Sequence, residues 1–150
     1  PSQTYNVNSR ATQQPGNGGG IFLSGSSLRT SGIGAQSLIL GNSAGQNGGG
    51  VSAILASSLV VSLGAQLDVV ENTATDGGGL FFEDVNAHVD VSGIGTVALL
   101  QNNSATQFGG GMYGFLSTVA TVSSGSRLDV IGNTAAISGG GIYLQDPTPW

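Results

Sequence analysis

Several residue types that carry chemistry or contact with anions are missing from this chain. It has no cysteine, which excludes disulfide bonds and thiolate metal sites. It has no lysine, its arginines are Arg10, Arg29 and Arg127, and its net charge is −5. Nucleic acids and anionic membrane surfaces both select basic surfaces, so we expect neither as a partner. No apolar run approaches the roughly 18 residues of a spanning helix, so we expect no membrane insertion by this segment.

Glycine is abundant and is arranged as a repeat. Gly-Gly-Gly triplets begin at steps of 30, 29, 32 and 30 residues, at Gly18, Gly48, Gly77, Gly109 and Gly139. A large aliphatic residue follows every triplet: Ile21, Val51, Leu80, Met112 and Ile142. Self-similarity at a fixed period predicts stacked repeats, in which each unit contacts its neighbours.

Each repeat contains three short segments with the period of a β-strand. After the triplet, the first and third residues are predicted to face inward and the second outward. A second strand ends at a turn glycine, and a third ends shortly before an asparagine. We therefore predict an all-β fold: a right-handed parallel β-helix (a solenoid) of about five coils of roughly 30 residues, with three short strands per coil. A helical repeat is excluded, because three glycines would cost it about 3 kcal/mol relative to alanine.

One asparagine per coil follows three residues after an inward aliphatic residue. The four are Asn42, Asn72, Asn103 and Asn133. An amide carries both donors and acceptors, so asparagines stacked one coil apart are predicted to form an inward ladder. A degenerate copy of this pattern is predicted at Tyr5, Asn8 and Ser9.

The two motifs together resemble the repeat of the chlamydial polymorphic membrane proteins, which carry Phe-x-x-Asn and Gly-Gly-Ala-Ile/Leu/Val. The likeness runs from about Tyr5 to Leu144. This chain departs in having Gly at the third position of the second motif and, in place of Phe, Ile39, Val69, Leu100 or Val130. The resemblance implies a β-helix of the autotransporter passenger kind, displayed outside a cell and often adhesive. The shared positions are structural and imply no catalytic residue.

An aromatic column is the most suggestive surface feature. It consists of Phe22, Phe81, Tyr113 and Tyr143, all at the outward position after a triplet. Planar side chains in a row can stack on sugar rings or pack against another subunit. The alternative is an internal stack across coils that a neighbouring loop covers.

The acidic residues do not suggest a reaction. Asp68 and Asp129 take corresponding outward positions two coils apart, but Leu99 lies between them and no basic residue is close in the pattern. A second group contains the only histidine, and we interpret it as an exposed polar strand rather than a metal site: Glu83, Asp84, His88 and Asp90. The triplets do not open a helix, which a phosphate-binding loop requires. We predict no catalytic residue, no metal and no cofactor.

These features favour an extracellular or cell-surface module, structural or adhesive, that acts as a scaffold and a contact surface. The alternatives are a carbohydrate-binding or glycan-degrading β-helix and, less favoured, an ice-binding solenoid, for which only Thr73-Ala74-Thr75 has the full Thr-x-Thr pattern. Fold alone does not decide among them.

We expect residues 1–150 to be a single β-helix segment of a longer solenoid or filament, because both ends expose strand edges. Its partners would then be neighbouring β-helix subunits, further coils of the same protein, or surface glycans. Pro147 and Pro149 suggest a competing account in which they block one edge. Asn102-Asn103-Ser104 is a glycosylation sequon.

Overall fold

The chain forms a parallel β-solenoid without helices in the part that the structure describes. That part of the computed structural model comprises residues 16–116, 118–123 and 125–146, together with the backbone of 4–7. Among the predicted features, Asn8, Ser9, Pro147 and Pro149 lie outside the described residues.

The three predicted strands of each coil are present and form three sheets along the solenoid. The strands that follow the triplets form sheet I: Ile21–Ser24, Val51–Ile54, Leu80–Glu83, Met112–Phe115 and Ile142–Gln145. The next strands form sheet II: Ser27–Ser31, Ser58–Ser62, His88–Ser92 and Val119–Ser123. The third strands form sheet III: Thr4–Val7, Gln36–Leu40, Gln66–Val70, Val97–Gln101 and Arg127–Ile131.

Each strand pairs in parallel with its equivalent one coil away. The chain crosses sheet I five times, which corresponds to about four turns between the first and the last crossing. The degenerate first copy has a different register from the one predicted, because Val7 rather than Tyr5 pairs with Ile39.

A fourth, shorter sheet was not predicted. Sheet IV contains Thr73–Asp76, Ser104–Phe108 and Thr134–Ala135, which lie between the asparagine and the next triplet. Threonine favours extended backbone, and its hydroxyls bond across coils, with 3.1 Å between the Thr73 and Ser43 oxygens. The pairing register shifts between Ala105 and Phe108, so one strand carries an irregularity of the β-bulge kind. Sequence analysis predicted three strands per coil and placed none in this segment.

The coils differ in length, and the residues that make the difference lie outside sheets I, II and III. Those strands keep their lengths between the coil of 29 residues and the coil of 32 residues. The added residues fall in 84–87 compared with 55–57, in 93–96 compared with 63–65, and in 104–108 compared with 73–76. Pairing of equivalent strands is therefore kept although the repeat length varies.

The core runs along the solenoid axis. It contains the inward residues of sheets I, II and III, including Val51, Leu59, Val69 and Phe82, each at most 1% exposed. Alternate residues of the same strands lie on the outer surface, as strand geometry requires. The core of the two middle coils is the most fully buried, and the outer coils contribute partly buried residues such as Ile21 and Val130.

Each triplet places two neighbouring coils at backbone contact distance. The first glycine has a left-handed backbone, with φ of +61° at Gly77. The third has no room for a side chain: a Cβ on Gly79 would lie 2.6 Å from the carbonyl oxygen of Gly111 and 3.0 Å from Cγ of Asn103. The residue type is thus required by conformation at one position and by close approach at another.

We expect Gly79→Ala to destabilise the solenoid by about 3 kcal/mol, because backbone of the next coil blocks the new methyl group. Gly16→Ala is the matched control, since nothing lies within 4 Å of a Cβ there and its φ is not positive. Urea unfolding followed by circular dichroism measures both. Equal midpoints for the two variants would contradict the close-packed corner.

The four predicted asparagines form a hydrogen-bonded ladder inside the adjoining corner. Nδ2 of Asn72 donates to Oδ1 of Asn103 at 3.0 Å and to the carbonyl oxygen of Ile39 at 3.0 Å. The backbone N–H of Asn72 also donates to Oδ1 of Asn103. The same pattern joins Asn42 to Asn72 and Asn103 to Asn133. Because Asn42, Asn72 and Asn103 are at most 1% exposed, these bonds satisfy amides that water cannot reach.

Asn72→Asp is expected to lower the free energy of unfolding by about 3 kcal/mol at neutral pH, because a carboxylate oxygen would face two acceptors. The loss should shrink in acid, where a protonated carboxyl can donate one of the missing bonds. Asn102→Asp makes the same change at an exposed neighbour and should alter stability by less than about 0.5 kcal/mol. Thermal or urea unfolding across pH 4 to 7 checks this, and a pH-independent loss would contradict it.

Candidate functional site

Three parallel rows of side chains lie along one side of the solenoid, two on the outer face of sheet I and a third at the ends of the sheet IV strands. The aromatic row contains Phe22, Ser52, Phe81, Tyr113 and Tyr143, which are in register across the five strands. A second row is formed two residues later by Ser24, Ile54, Glu83, Phe115 and Gln145. A third row precedes the triplets, where Asn47 bridges to Asp76 and Phe108 pairs with Asp76 and with Ser138. Parallel pairing therefore places residues from successive coils side by side.

The rings of the aromatic row contact one another across coils. Phe81 and Tyr113 meet edge to face with centroids 5.4 Å apart, and Tyr113 and Tyr143 are tilted with centroids 5.5 Å apart. Phe108 from the preceding row stacks on Tyr143 at 5.0 Å. Phe115 lies against Tyr113 at 6.2 Å. The result is one aromatic cluster that spans three coils.

Exposure differs along the predicted aromatic column. Phe81 and Tyr113 are 4% and 7% exposed, so the chain itself covers most of both rings. Phe22 is 49% exposed, and Tyr143 is half-buried. The column thus combines a cross-coil stack in the middle with accessible rings towards its ends.

An open groove of about 220 Å³ lies in the middle of this face. It is lined by Asn47, Asp76, Phe81, Glu83, Tyr113 and Phe115. We call it the aromatic–acidic groove. It brings two carboxylates and three rings together from two neighbouring coils.

The groove has a negative electrostatic environment. Burial raises the pKa of the Asp76 carboxyl, an effect that the N–H of Phe108 partly offsets by donating to Oδ1 at 3.2 Å. Burial also raises the pKa of Tyr113, and the charges of Asp76, Tyr143 and Glu83 raise it further. The Tyr113 hydroxyl donates to Oε1 of Gln145 at 2.8 Å.

A second cavity adjoins the first. It has a volume of about 260 Å³, shares Glu83, and is otherwise lined by Ile54, Leu55, Asp84 and Leu116. Leu55 and Leu116 have left-handed backbones, with φ of +55° and +60°, at the corner position that Gly25 takes in the first coil. A leucine in this conformation costs about 1 kcal/mol or more, so these corners carry strain beside the cavity.

The other acidic residues named in the sequence analysis are held by local contacts. Asp68, Leu99 and Asp129 are in register on sheet III, as the alignment predicted. The expectation that no basic residue is close to these acids is wrong for Asp129, because Arg127, two residues earlier on the same strand, forms an ion pair with it at 2.8 Å. Asp68 accepts two hydrogen bonds from Gln66. Asp90 accepts from Ser92, and His88 is exposed with its ring beside the carbonyl oxygen of Asn86.

Within the described residues, no three acidic, histidine or cysteine side chains converge to a metal-binding arrangement. No helix in the same residues is long and apolar enough to cross a membrane.

The hydroxyl residues weighed for ice binding line a different face. Ser43, Thr73, Thr75 and Thr106 border an open cavity of about 200 Å³ along sheet IV. Their hydroxyls bond largely to one another and to backbone, as between Thr75 and the carbonyl oxygen of Gly45.

Sequence reasoning missed half of the groove. It named Phe81, Tyr113 and Glu83, but Glu83 only in a polar strand, and it did not name Asn47, Asp76 or Phe115. The signal was available, because alignment on the triplets puts Asp76 and Phe108 one residue before them and Glu83 and Phe115 four residues after them. The alignment did not show how the chain turns at each triplet, and this turn places the residues before the triplet against the strand after it.

Comparison with known proteins gave no match to a family model, a curated protein or a solved structure.

Ser52 interrupts the aromatic row and has an unpaired hydroxyl. Its Oγ is buried without a hydrogen-bond partner, between Phe22 and Phe81 in the register. We expect Ser52→Ala to leave the free energy of unfolding unchanged or to raise it by up to about 1 kcal/mol, because no bond is lost.

Ser57→Ala is the control at equal burial. The Ser57 hydroxyl donates to the carbonyl oxygen of Ile54 and accepts from the N–H of Ser26, so its removal should cost about 1–3 kcal/mol. Urea unfolding of both variants measures the two changes in the free energy of unfolding. A loss at Ser52 as large as that at Ser57 would contradict the unpaired state.

Proposed function

We propose that this chain is a non-enzymatic contact module of a secreted or cell-surface protein. Its solenoid acts as a scaffold, and the outer face of sheet I is the surface that meets a partner. The carrying observation is the aromatic–acidic groove, where rings and carboxylates are gathered on one outer face of an otherwise regular solenoid.

The distribution of the repeat motifs supports this division of roles. The glycine triplets and the asparagines contact neighbouring coils, for example through the hydrogen bond from Nδ2 of Asn103 to Oδ1 of Asn133 at 2.9 Å. These residues hold the coils together and are not the ones we propose to contact a ligand. The outer rows are free to vary from coil to coil, and variation there gives Asp76 and Glu83 beside Phe81 in one coil and Phe108 and Phe115 beside Tyr113 in the next.

The extracellular placement rests on the resemblance of the repeat to the chlamydial polymorphic membrane proteins. That resemblance also supports an adhesive role, because those proteins are displayed outside the cell. Further coils of the same protein, or neighbouring β-helix subunits, would extend the scaffold. Under this proposal the acids on sheet III serve as surface charges, since Arg127 neutralises Asp129 and Gln66 engages Asp68.

Carbohydrate binding is the second candidate. Phe22 is 49% exposed, and the Phe108 and Tyr143 rings are stacked within 17° of parallel, so accessible aromatic area exists at both ends of the row. Flat aromatic surface of this kind suits sugar rings. The middle of the row suits them less, because Phe81 and Tyr113 are mutually tilted by 70°.

A retention assay tests the contact role. Beads coated with the chain are held under flow on surfaces that carry a neutral polysaccharide, an acidic polysaccharide or a basic protein. We expect retention above that on a bare surface for at least one of these, and loss of most of it for the Phe22→Ser, Tyr143→Ser double variant. Ile94→Ser is the control, because it removes an 87% exposed aliphatic residue from another part of the surface.

Retention on none of the surfaces, or equal loss with Ile94→Ser, would contradict the contact role. Turnover of an acidic glycan, abolished by Asp68→Asn or Asp129→Asn, would contradict the non-enzymatic part of the proposal.

A further inference from the structure

The aromatic–acidic groove has an unbalanced charge. Asp76 and Glu83 lie on either side of Phe81, and neither forms an ion pair within the described residues, where the only pair is Arg127 with Asp129. The described arginines belong to other sheets, Arg29 to sheet II and Arg127 to sheet III. The chain has no lysine, and its third arginine, Arg10, lies outside the described residues.

Burial makes this imbalance costly. A carboxylate that loses part of its hydration without gaining a cation is destabilised, and a cation that enters such a site is bound more strongly than at an open surface. For Asp76 the direction agrees with this, because burial raises its pKa despite the hydrogen bond from Phe108. Asp76 and Glu83 line the same groove as Tyr113, and their charges raise the pKa of Tyr113.

The remaining walls of the groove are aromatic. Phe81, Tyr113 and Phe115 line it, and rings attract ammonium and guanidinium groups through their electron-rich faces. The rings are tilted by 57° to 70° relative to Tyr113, so they form a recess rather than a flat platform. A recess of about 220 Å³ suits the end of one long side chain.

We propose that the aromatic–acidic groove binds the ammonium or guanidinium group of a lysine or arginine side chain from a partner protein. Asp76 and Glu83 supply the counter-charge, and Asn47 supplies an amide oxygen. The partly exposed ring of Phe115 contacts the cation and its alkyl stem, together with the small exposed parts of Phe81 and Tyr113. This inference rests on the proposed contact role and specifies the chemistry of the partner.

The test uses N-acetyl-lysine methylamide and N-acetyl-arginine methylamide as probes, with N-acetyl-norleucine methylamide as the uncharged probe that keeps the four-carbon stem of lysine and lacks the ammonium group. Binding to the whole chain is followed by NMR shifts of the Phe81, Tyr113 and Phe115 rings. We expect both charged probes to bind at least about tenfold more tightly than norleucine, and the difference to shrink as salt is raised. The pKa of the Asp76 carboxyl should fall when the probe is bound, since a neighbouring cation favours the carboxylate.

Two conservative variants locate the site. Asp76→Asn keeps an oxygen for the Phe108 N–H, and Glu83→Gln keeps the length of the side chain. Each should weaken binding of the lysine probe about five- to tenfold. Asp90→Asn removes the same charge from sheet II and should leave binding unchanged.

Four results would overturn the inference. Norleucine binding as tightly as lysine would remove the role of charge. An equal loss of binding in Asp90→Asn would show that the effect of the groove variants comes from the net charge of the protein and not from their position. Spermidine binding far more tightly than either amino-acid probe would point to a free polyamine instead of a protein side chain. Ring shifts with a neutral disaccharide but not with lysine would also overturn it, while retention of the coated beads on a polysaccharide would leave the contact role standing.

Discussion

The close approach of backbones at the glycine triplets is the constraint on which the rest of the structure depends. A Cβ on the third glycine of a triplet would collide with a carbonyl oxygen of the next coil, as at Gly79 and Gly111. Because no side chain separates the coils there, their backbones bond directly, as from the N–H of Gly79 to the carbonyl oxygen of Gly110 at 3.0 Å. The asparagine ladder beside this corner then reinforces one register, since the amides of Asn72 and Asn103 each bond the coil on either side.

The fixed register of the coils has consequences both inside the solenoid and on its outer surface. Inside, it stacks equivalent aliphatic residues into a continuous core. Outside, it turns residues that are about 30 positions apart in sequence into neighbours, as with Phe81 and Tyr113. The aromatic–acidic groove exists because Asp76, Glu83 and Phe115 are brought together by this stacking rather than by local sequence. The same constraint that specifies the fold therefore also builds the candidate contact surface.

Sequence analysis predicted much of the fold because the fold is built from the repeat. The triplets, the inward aliphatic positions and the position of Asn72 and its equivalents each recur once per coil, so a single pattern predicted sheets I to III. Sheet IV was not predicted, because its strands Thr73–Asp76 and Ser104–Phe108 differ in length and pair through a shifted register. The sequence therefore shows no common period there. Part of the aromatic–acidic groove was not predicted for a similar reason. Asp76 and Glu83 are residues of one coil only, and their proximity depends on how the chain bends at Gly77, which a strand pattern does not describe.

Every link of the asparagine ladder has the same donors and acceptors, and this makes whole coils interchangeable. If the 31 residues from Asn72 to the position before Asn103 were removed, Asn42 would meet Asn103, which offers the same Oδ1 that Asn72 offered. A duplicated coil would fit equally well, whereas a gain of half a coil would place an amide against an aliphatic side chain. Genes for such chains are thus able to lengthen or shorten in whole repeats without a loss of internal bonding. Each such event also shifts which outer residues become neighbours, so the contact surface changes while the fold does not.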